Sequence, residues 1–565
     1  MSTAFSAQGG RAAQAAILLA LGAAALAFLP LHDEPWWPGP PSGTQAWLAL
    51  VLVLAYLGAS TATLWRARRH ARAQIASDTA AAGVPSADDW LVVHASQTGQ
   101  ALDFAQRTAD SLRSAGLHAR LRNISTLDAA TLAAARQVLF VASTTGEGDA
   151  PDPAAAFPGN TMRDDLALRG LRYAVLALGD RSYQHYCAFG HALDQWLRDA
   201  GASPLFDIVE VDNGDPAALR HWQHHLGVAT GAPELPDWSP ASYAGWTLAS
   251  RRELNPGSLG GAVHEVRLSP PADSDPRWQA GDIAEIGPRQ APEAVLALLI
   301  ATGLDPAAQV RVGDAHSSLR DLLARSHLPA ADEIQGLDAQ GVAARLQPLP
   351  HREYSIASEP GEGTLRLVLR RMLRPDGSPG IGSGWLCDHA QPGGLIDLRI
   401  RANPGFHGPE PGTPLVLLGN GTGIAGLRAH LAERIATGAS QRSWLLFGER
   451  SADRDFHLHD DLLRWLDQGS LARLDLAFSR DIRNARIPES AIAADVAGIH
   501  RGYVQDALRA EAPRLRRWVD DGATVLVCGS LQGMAPGVDA TLRDILGDAE
   551  VDVMRQAGRY RRDVY

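Results

Sequence analysis

Ser96, Gln97, Thr98 and Gly99 stand directly before an amphipathic stretch. Hydroxyls beside free backbone N–H groups at a helix start can hold a phosphate without any cation. Ordinary helix capping uses the same residue types, so one such turn decides nothing. Two more loops follow hydrophobic runs: Ser143, Thr144, Thr145 and Gly146 open one, and Leu178, Gly179 and Tyr183 belong to the other. Three loops at matching strand ends could bracket a flat ring with a phosphate attached. Further on, Arg352, Tyr354 and Ser355 share one short segment, followed by Gly380, Gly382 and Ser383. An arginine on a rigid strand can pair with a pyrophosphate, a tyrosine beside it can lie against a ring, and a glycine turn opening a helix can take a second phosphate. A third glycine turn, Gly419, Gly421, Thr422 and Gly423, follows an apolar run and lets the backbone approach a dinucleotide.

These residues need a scaffold that aims them. From Trp90 onward, short β runs (WLVVHAS, HARLRNI, QVLFVAST, RYAVLALGD, PLFDIVEVD) alternate with helical stretches, Ala101 to Ala115 and Cys187 to Ala200 among them. That is the pattern of a five-stranded, doubly wound parallel sheet, whose ligands bind at the carboxyl ends of the strands. Residues 89–230 make this first unit, and 231–244, punctuated by proline, read as a flexible linker. AVHEVRLSP, GDIAEIGP, TLRLVLRRML and GLIDLRIRA predict a small antiparallel β-barrel over 245–408. Residues 409–565 return to the parallel pattern. The fold class is α/β and multidomain. Length agrees, since 565 residues exceed what one hydrophobic core organises.

Composition narrows the function. The net charge of -11 argues against nucleic acid as a partner, because phosphate neutralisation needs a basic surface. Three cysteines without a CxxC pair supply no disulfide framework and no metal-ligand set, which suits a reducing compartment. The front of the chain differs from the rest. Apolar runs from Ala15 to Leu31 and from Ala46 to Trp65 would give helices of roughly 26 and 30 Å, each long enough to span a bilayer. Arg66, Arg68, Arg69 and Arg72 follow the second run and predict a cytoplasmic flank. Residues 1–70 are thus expected to form a two-helix transmembrane hairpin, with 71–88 as a tether. A signal peptide at the first run is the competing reading. The lipid bilayer is the expected partner of this end, the bacterial inner membrane the expected location, and the later domains face the cytoplasm.

SQTG, STTGEGD and LGDRSYQHYCAFG resemble the three flavin-binding loops of flavodoxins and of the flavodoxin half of the diflavin reductases. The resemblance implies that Ser96 to Gly99 hold the phosphate of FMN, that Tyr183 stacks on its ring, and that Asp212 lies near the ring edge. Thr145 falls where microsomal members place a second stacking tyrosine, so only one ring face would be covered by an aromatic. RxYS followed by a GxxS turn resembles the FAD site of the ferredoxin-NADP reductase superfamily. Ser479 and Arg480, with Arg501, Tyr503 and Gln505, resemble that family's clamp for the 2′-phosphate of NADPH. Cys528, Asp563 and Tyr565 complete the site by resemblance, with Ser355, Cys528 and Asp563 orienting the nicotinamide and Tyr565 covering the FAD ring. RYRRDVY is similar to the terminus of the sulfite reductase flavoprotein.

The implied activity passes electrons from NADPH to FAD, to FMN, and on to a one-electron acceptor, expected to be haem-containing. A sulfite reductase flavoprotein component and a noncatalytic flavin-binding membrane adaptor are the alternatives. Departures from the family are expected to matter at two places. The connecting region around Ala291 to Ala344 is short, which leaves the inter-flavin geometry unfixed, and Asn420 and Gly426 replace common prolines, which loosens the nucleotide loop. Acidic Asp207, Glu210, Asp212 and Asp215 read equally as a solvated face or a docking patch.

Overall fold

Long apolar strands such as LVVH, VLFVA and YAVLALG have no polar face, so they settle only between two layers of helices. A computed structural model describes residues 89–565, apart from 97–98, 146–147, 164–165, 239–241, 273, 314, 375 and 440–441. The hairpin over 1–70, the tether over 71–88, and Gln97, Thr98 and Gly146 lie outside the described residues. Among the described residues, no helix is long and apolar enough to cross a membrane.

The first sheet is built from β1 (Trp90–Ala95), β2 (Ala119–Asn123), β3 (Gln137–Ser143), β4 (Arg172–Gly179), β5 (Ser203–Pro204) and β6 (Val209–Asp212). Every pairing is parallel, in the order β2-β1-β3-β4, with β5 and β6 both pairing with β4. Helices α1 (Gln100–Ser114), α2 (Ala188–Asp199) and α3 (Pro216–Thr230) cover it. The fifth strand, expected as one run, is broken. Pro204 has no N–H to extend the ladder, and Phe206 turns inward against Trp222, with ring centroids 5.3 Å apart.

The barrel contains β7 (Ala244–Glu253), β8 (Val263–Ser269), β9 (Ile283–Gly287), β12 (Arg352–Ser355), β13 (Leu365–Arg370) and β14 (Leu395–Arg401). Its antiparallel order is β12-β9-β14-β7-β8-β13, and a bridge from Ile356 to Leu367 links the two outer strands. Strand β7 begins at Ala244, inside the segment expected as linker. Between β9 and β12 lies the connecting region, with a helix over Pro292–Thr302 and the hairpin β10 (Gln309–Val312) and β11 (Ala315–Ser318). Val295, Leu299, Leu319, Leu323 and Val342 give it an apolar core of its own.

The third unit is wholly parallel: β15 (Leu415–Asn420), β16 (Ser443–Ser451), β17 (Arg473–Asp481), β18 (Ala497–Arg501), β19 (Thr524–Gly529) and β20 (Tyr560–Val564), in the order β18-β17-β16-β15-β19-β20. The RYRRDV segment is therefore an edge strand, and its register sets Asp563 beside Cys528.

Between residues 234 and 238, the stretch expected as a linker makes contacts with the units on both sides of it. Trp238 donates from its ring nitrogen to Ser111 Oγ at 2.9 Å and stacks on Phe104, while Asp237 accepts from the backbone N–H of His351 at 3.1 Å. Glu234 pairs with Arg374 at 2.7 Å. The flavodoxin-like unit itself rests on the barrel through Arg220 and Glu285, 2.9 Å apart and almost fully buried, and on the third unit through Asp207 and Arg562. The shortened connecting region has not left this unit undocked.

Candidate active site

At the carboxyl end of the first sheet, Gly99 takes φ +99°, a left-handed conformation that favours glycine, and its N–H donates to Ser96 Oγ at 2.9 Å. Helix α1 starts at the next residue with no side-chain cap, so its first N–H groups are left free at the carboxyl end of β1. Ser143 Oγ donates to Ala95 O at 2.9 Å and ties the first two loops together. Thr144 Oγ1 is buried with no hydrogen-bond partner among the described residues, and a phosphate or ring polar atom would satisfy it. Tyr183 is 50 % exposed, as a residue waiting for a planar partner would be. Thr145 is engaged in a tight turn with Asp149.

The acidic residues near β6 are committed within the chain. Asp212 accepts from the backbone N–H of Arg181 at 3.0 Å, Glu210 pairs with His191 at 3.0 Å, Asp215 caps α3, and Asp207 is held by Arg562.

In the barrel, burial lowers the pKa of Arg352, and its guanidinium donates only to the carbonyls of Pro350 and His351, at 3.2 and 2.8 Å. Among the described residues no carboxylate pairs with it, which leaves donors for a pyrophosphate. Gly382 sits hard against this strand: a Cβ there would lie 2.5 Å from Arg352 Cγ and 2.7 Å from the Tyr354 hydroxyl. Gly380 precedes the short helix Ile381–Gly384, and Ser383 Oγ accepts from Met372 N–H at 3.0 Å. These residues fit FAD.

A cleft of about 960 Å³ runs from Tyr354 and Ser355 past Thr422 to Ser479, Arg480, Tyr503 and Gln505. Deep in it, Ser355 Oγ donates to Asp563 Oδ2 at 2.9 Å, and the Cys528 thiol reaches the same oxygen at 3.8 Å. Burial raises the Asp563 pKa, with the Ser355 hydrogen bond working against it. Burial and the Asp563 carboxyl push the Cys528 thiol well above its ordinary value, so it stays protonated. Tyr565 stands at the mouth, its hydroxyl 3.4 Å from Thr422 Oγ1.

Glycines bring β15 and β19 together here. A Cβ on Gly419 or Gly423 would lie 2.6 or 2.2 Å from the Cys528 carbonyl. The loop after β15 is not loosened by Asn420, because its Oδ1 accepts from Ser530 N–H at 3.0 Å. An amide side chain thus ties the two turns together. Arg480 lines the cleft, and no hydrogen bond or ion pair holds it among the described residues. Gln505 Oε1 is buried without a partner. Arg501, at the end of β18, does not line the cleft.

The sequence did not single out Asn420 as a tie, nor His221, His224 and His225 of α3, which line this cleft from the flavodoxin-like side. An HWQHH run on an amphipathic helix was the available signal.

A flavodoxin family model matches residues 92–222, and a model of the oxidoreductase NAD-binding domain matches residues 417–540. The chain is also similar to curated sulfite reductase [NADPH] flavoprotein alpha-components. That of Yersinia enterocolitica is 30% identical, with 86% of this chain and 91% of the relative covered. That of Klebsiella pneumoniae is 29% identical, covering 87% and 92%. One from Neisseria meningitidis is 28% identical, covering 87% and 93%. Over nearly its whole length, then, the chain belongs to the diflavin reductase family.

Proposed function

We propose that this chain is an NADPH-dependent oxidoreductase that holds FMN in its flavodoxin-like unit and FAD in its barrel, and delivers electrons singly to a haem-containing acceptor. The observation that carries this reading is the hydrogen-bonded pair of Ser355 and Asp563, which has the Cys528 thiol against Asp563 and lines a cleft whose wall also carries Arg480, unpaired among the described residues. When bound, the two flavins supply the exchange between paired and single electrons that a nicotinamide and a haem cannot make directly.

The chain's own groups bind and orient. Arg352 and the Gly380–Ser383 turn take the pyrophosphate of FAD, and Tyr354 lies along its ring. Arg480, Ser479 and Tyr503 take the 2′-phosphate of NADPH, with Arg501 outside the cleft adding at most a longer-range attraction. Ser355 fixes the Asp563 carboxylate where positive charge develops on the nicotinamide, and the protonated Cys528 packs beside it without acting as a nucleophile. Tyr565 keeps water from the FAD ring until the nicotinamide displaces it. In the first unit, Ser96 to Gly99 and the α1 N–H groups hold the FMN phosphate, with Tyr183 against the ring and Asp212 at its edge.

The hairpin over residues 1–70 anchors the enzyme in a bacterial inner membrane, with the described units in the cytoplasm. This rests on the two apolar runs and the arginines after the second. A second reading, the flavoprotein component of a sulfite reductase, is favoured by the relatives. Purified in detergent with both flavins, the protein should reduce cytochrome c with NADPH. Sulfite-dependent NADPH oxidation on adding a haem-containing sulfite reductase subunit would select the second reading. NADPH left unoxidised with both flavins bound would leave only a noncatalytic flavin-binding protein.

A further inference from the structure

Glu353 stands between Arg352 and Tyr354 in β12, and the antiparallel register places Glu285 of β9 directly opposite it. Two carboxylates facing each other across strands repel, more so when buried. Glu285 is completely buried and Glu353 nearly so. The barrel answers with Arg401, whose Nη2 is 3.1 Å from Glu353 and whose Nε is 3.6 Å from Glu285, and with His351, 3.2 Å from the other Glu353 oxygen. Arg399, on the same strand as Arg401, is 3.9 Å from Glu285, and the closest partner of each carboxylate comes from another unit. Arg220 of α3 meets Glu285 at 2.9 Å, and His221 meets Glu353 at 2.7 Å.

We infer that Arg220 and His221 are positioning residues that couple docking of the flavodoxin-like unit to occupation of the FAD site. The reason is mechanical. Their two acceptors lie on the strand pair that carries Arg352 and Tyr354, and His221, His224 and His225 wall the same cleft as Tyr354. Withdrawing α3 takes from Glu285 and Glu353 their closest hydrogen-bond partners, and this strand pair must shift or take up water. Binding that stiffens β12 therefore favours the docked arrangement, and docking favours binding by the same factor. The inference rests on the FAD assignment made above.

The test uses the full chain, stripped of FAD but retaining FMN. Titration with FAD should saturate at one equivalent in the parent protein; failure at this step refutes the FAD assignment itself, apart from the coupling. His221→Ala should then weaken FAD binding about tenfold, within the usual range of coupling between two sites. His221→Gln, which keeps a hydrogen bond to Glu353, should recover most of the loss. An FAD affinity for His221→Ala within about twofold of the parent overturns the coupling. A second measurement needs no variant: chymotrypsin should cut the parent at Trp238 or Tyr243 faster when FAD is absent and FMN present. Equal rates with and without FAD also overturn it.

Discussion

Arg480→Ala is the sharpest test of the nucleotide site. Arg480 is the next-to-last residue of β17, on the wall of the cleft with no partner among the described residues, so its loss costs the fold little. A charge-assisted contact with the 2′-phosphate contributes about 1.5 to 3 kcal/mol, which converts to roughly a 10- to 150-fold rise in the NADPH requirement. NADH lacks that phosphate and should be used as before. Arg501 lies outside the cleft, and Arg501→Ala should therefore cost less, with the pair of substitutions only slightly worse than Arg480→Ala. Steady-state kcat/KM for both nucleotides, measured with ferricyanide so that the FMN unit does not limit the rate, gives the comparison. Equal losses with NADPH and NADH would refute the clamp, and a larger effect at Arg501 would refute the placement of the phosphate.

Ser355→Ala removes the hydrogen bond that opposes the burial-driven rise in the Asp563 pKa. It should lower kcat by about 10²-fold and move the acid limb of the pH profile upward; an unmoved limb would separate Asp563 from the reaction. Gly382→Ala drives a methyl into Arg352 and Tyr354, so the protein should be isolated with FMN but little FAD, as flavin analysis by chromatography would show. His351 gives a pH dependence of stability. Burial opposes its charge, but the hydrogen bonds it donates to Asp237 and Glu353 prevail and lift its pKa from 6.5 to about 9, with the ring of His224 5.8 Å away. Its contribution should be complete below about pH 6.5 and lost as pH rises through about 9, by denaturant titration. A curve flat from pH 7 to 9.5 would contradict this. Glu285→Ala, which strands Arg220 in the interior, should cost about 3 to 5 kcal/mol in the same titration.

The loops that would hold the flavins were legible because each needs a glycine or a hydroxyl at the end of an apolar run, a local signal. The same holds for the glycines at 419 and 423. What escaped was contact between distant segments. Nothing in the run of residues pairs Arg220 with Glu285 or His221 with Glu353, since periodicity tells which face of a helix is apolar and not which charge it will meet. The linker's contacts escaped for a related reason: prolines and small residues suggested freedom, while Trp238, Asp237 and Glu234 have partners on both sides. The broken fifth strand was visible in Pro204 and was overridden by the apolar residues around it. Asn420 illustrates the limit of comparison by type, because replacing proline with a residue that hydrogen-bonds Ser530 exchanges one constraint for another.

The small core inside the segment between β9 and β12 has a bearing on how such enzymes can be altered. Because Val295, Leu299, Leu319, Leu323 and Val342 pack on one another, the insert behaves as a separate spacer clipped onto the barrel. Designers could trim it, extend it or swap it for a counterpart of another length, provided that Arg325 keeps its ion pair with Asp397 of the barrel. Because the first unit rests on the barrel through Arg220 and Glu285 and on the third unit through Asp207 and Arg562, all outside this insert, its seat should outlast a change in the insert's length.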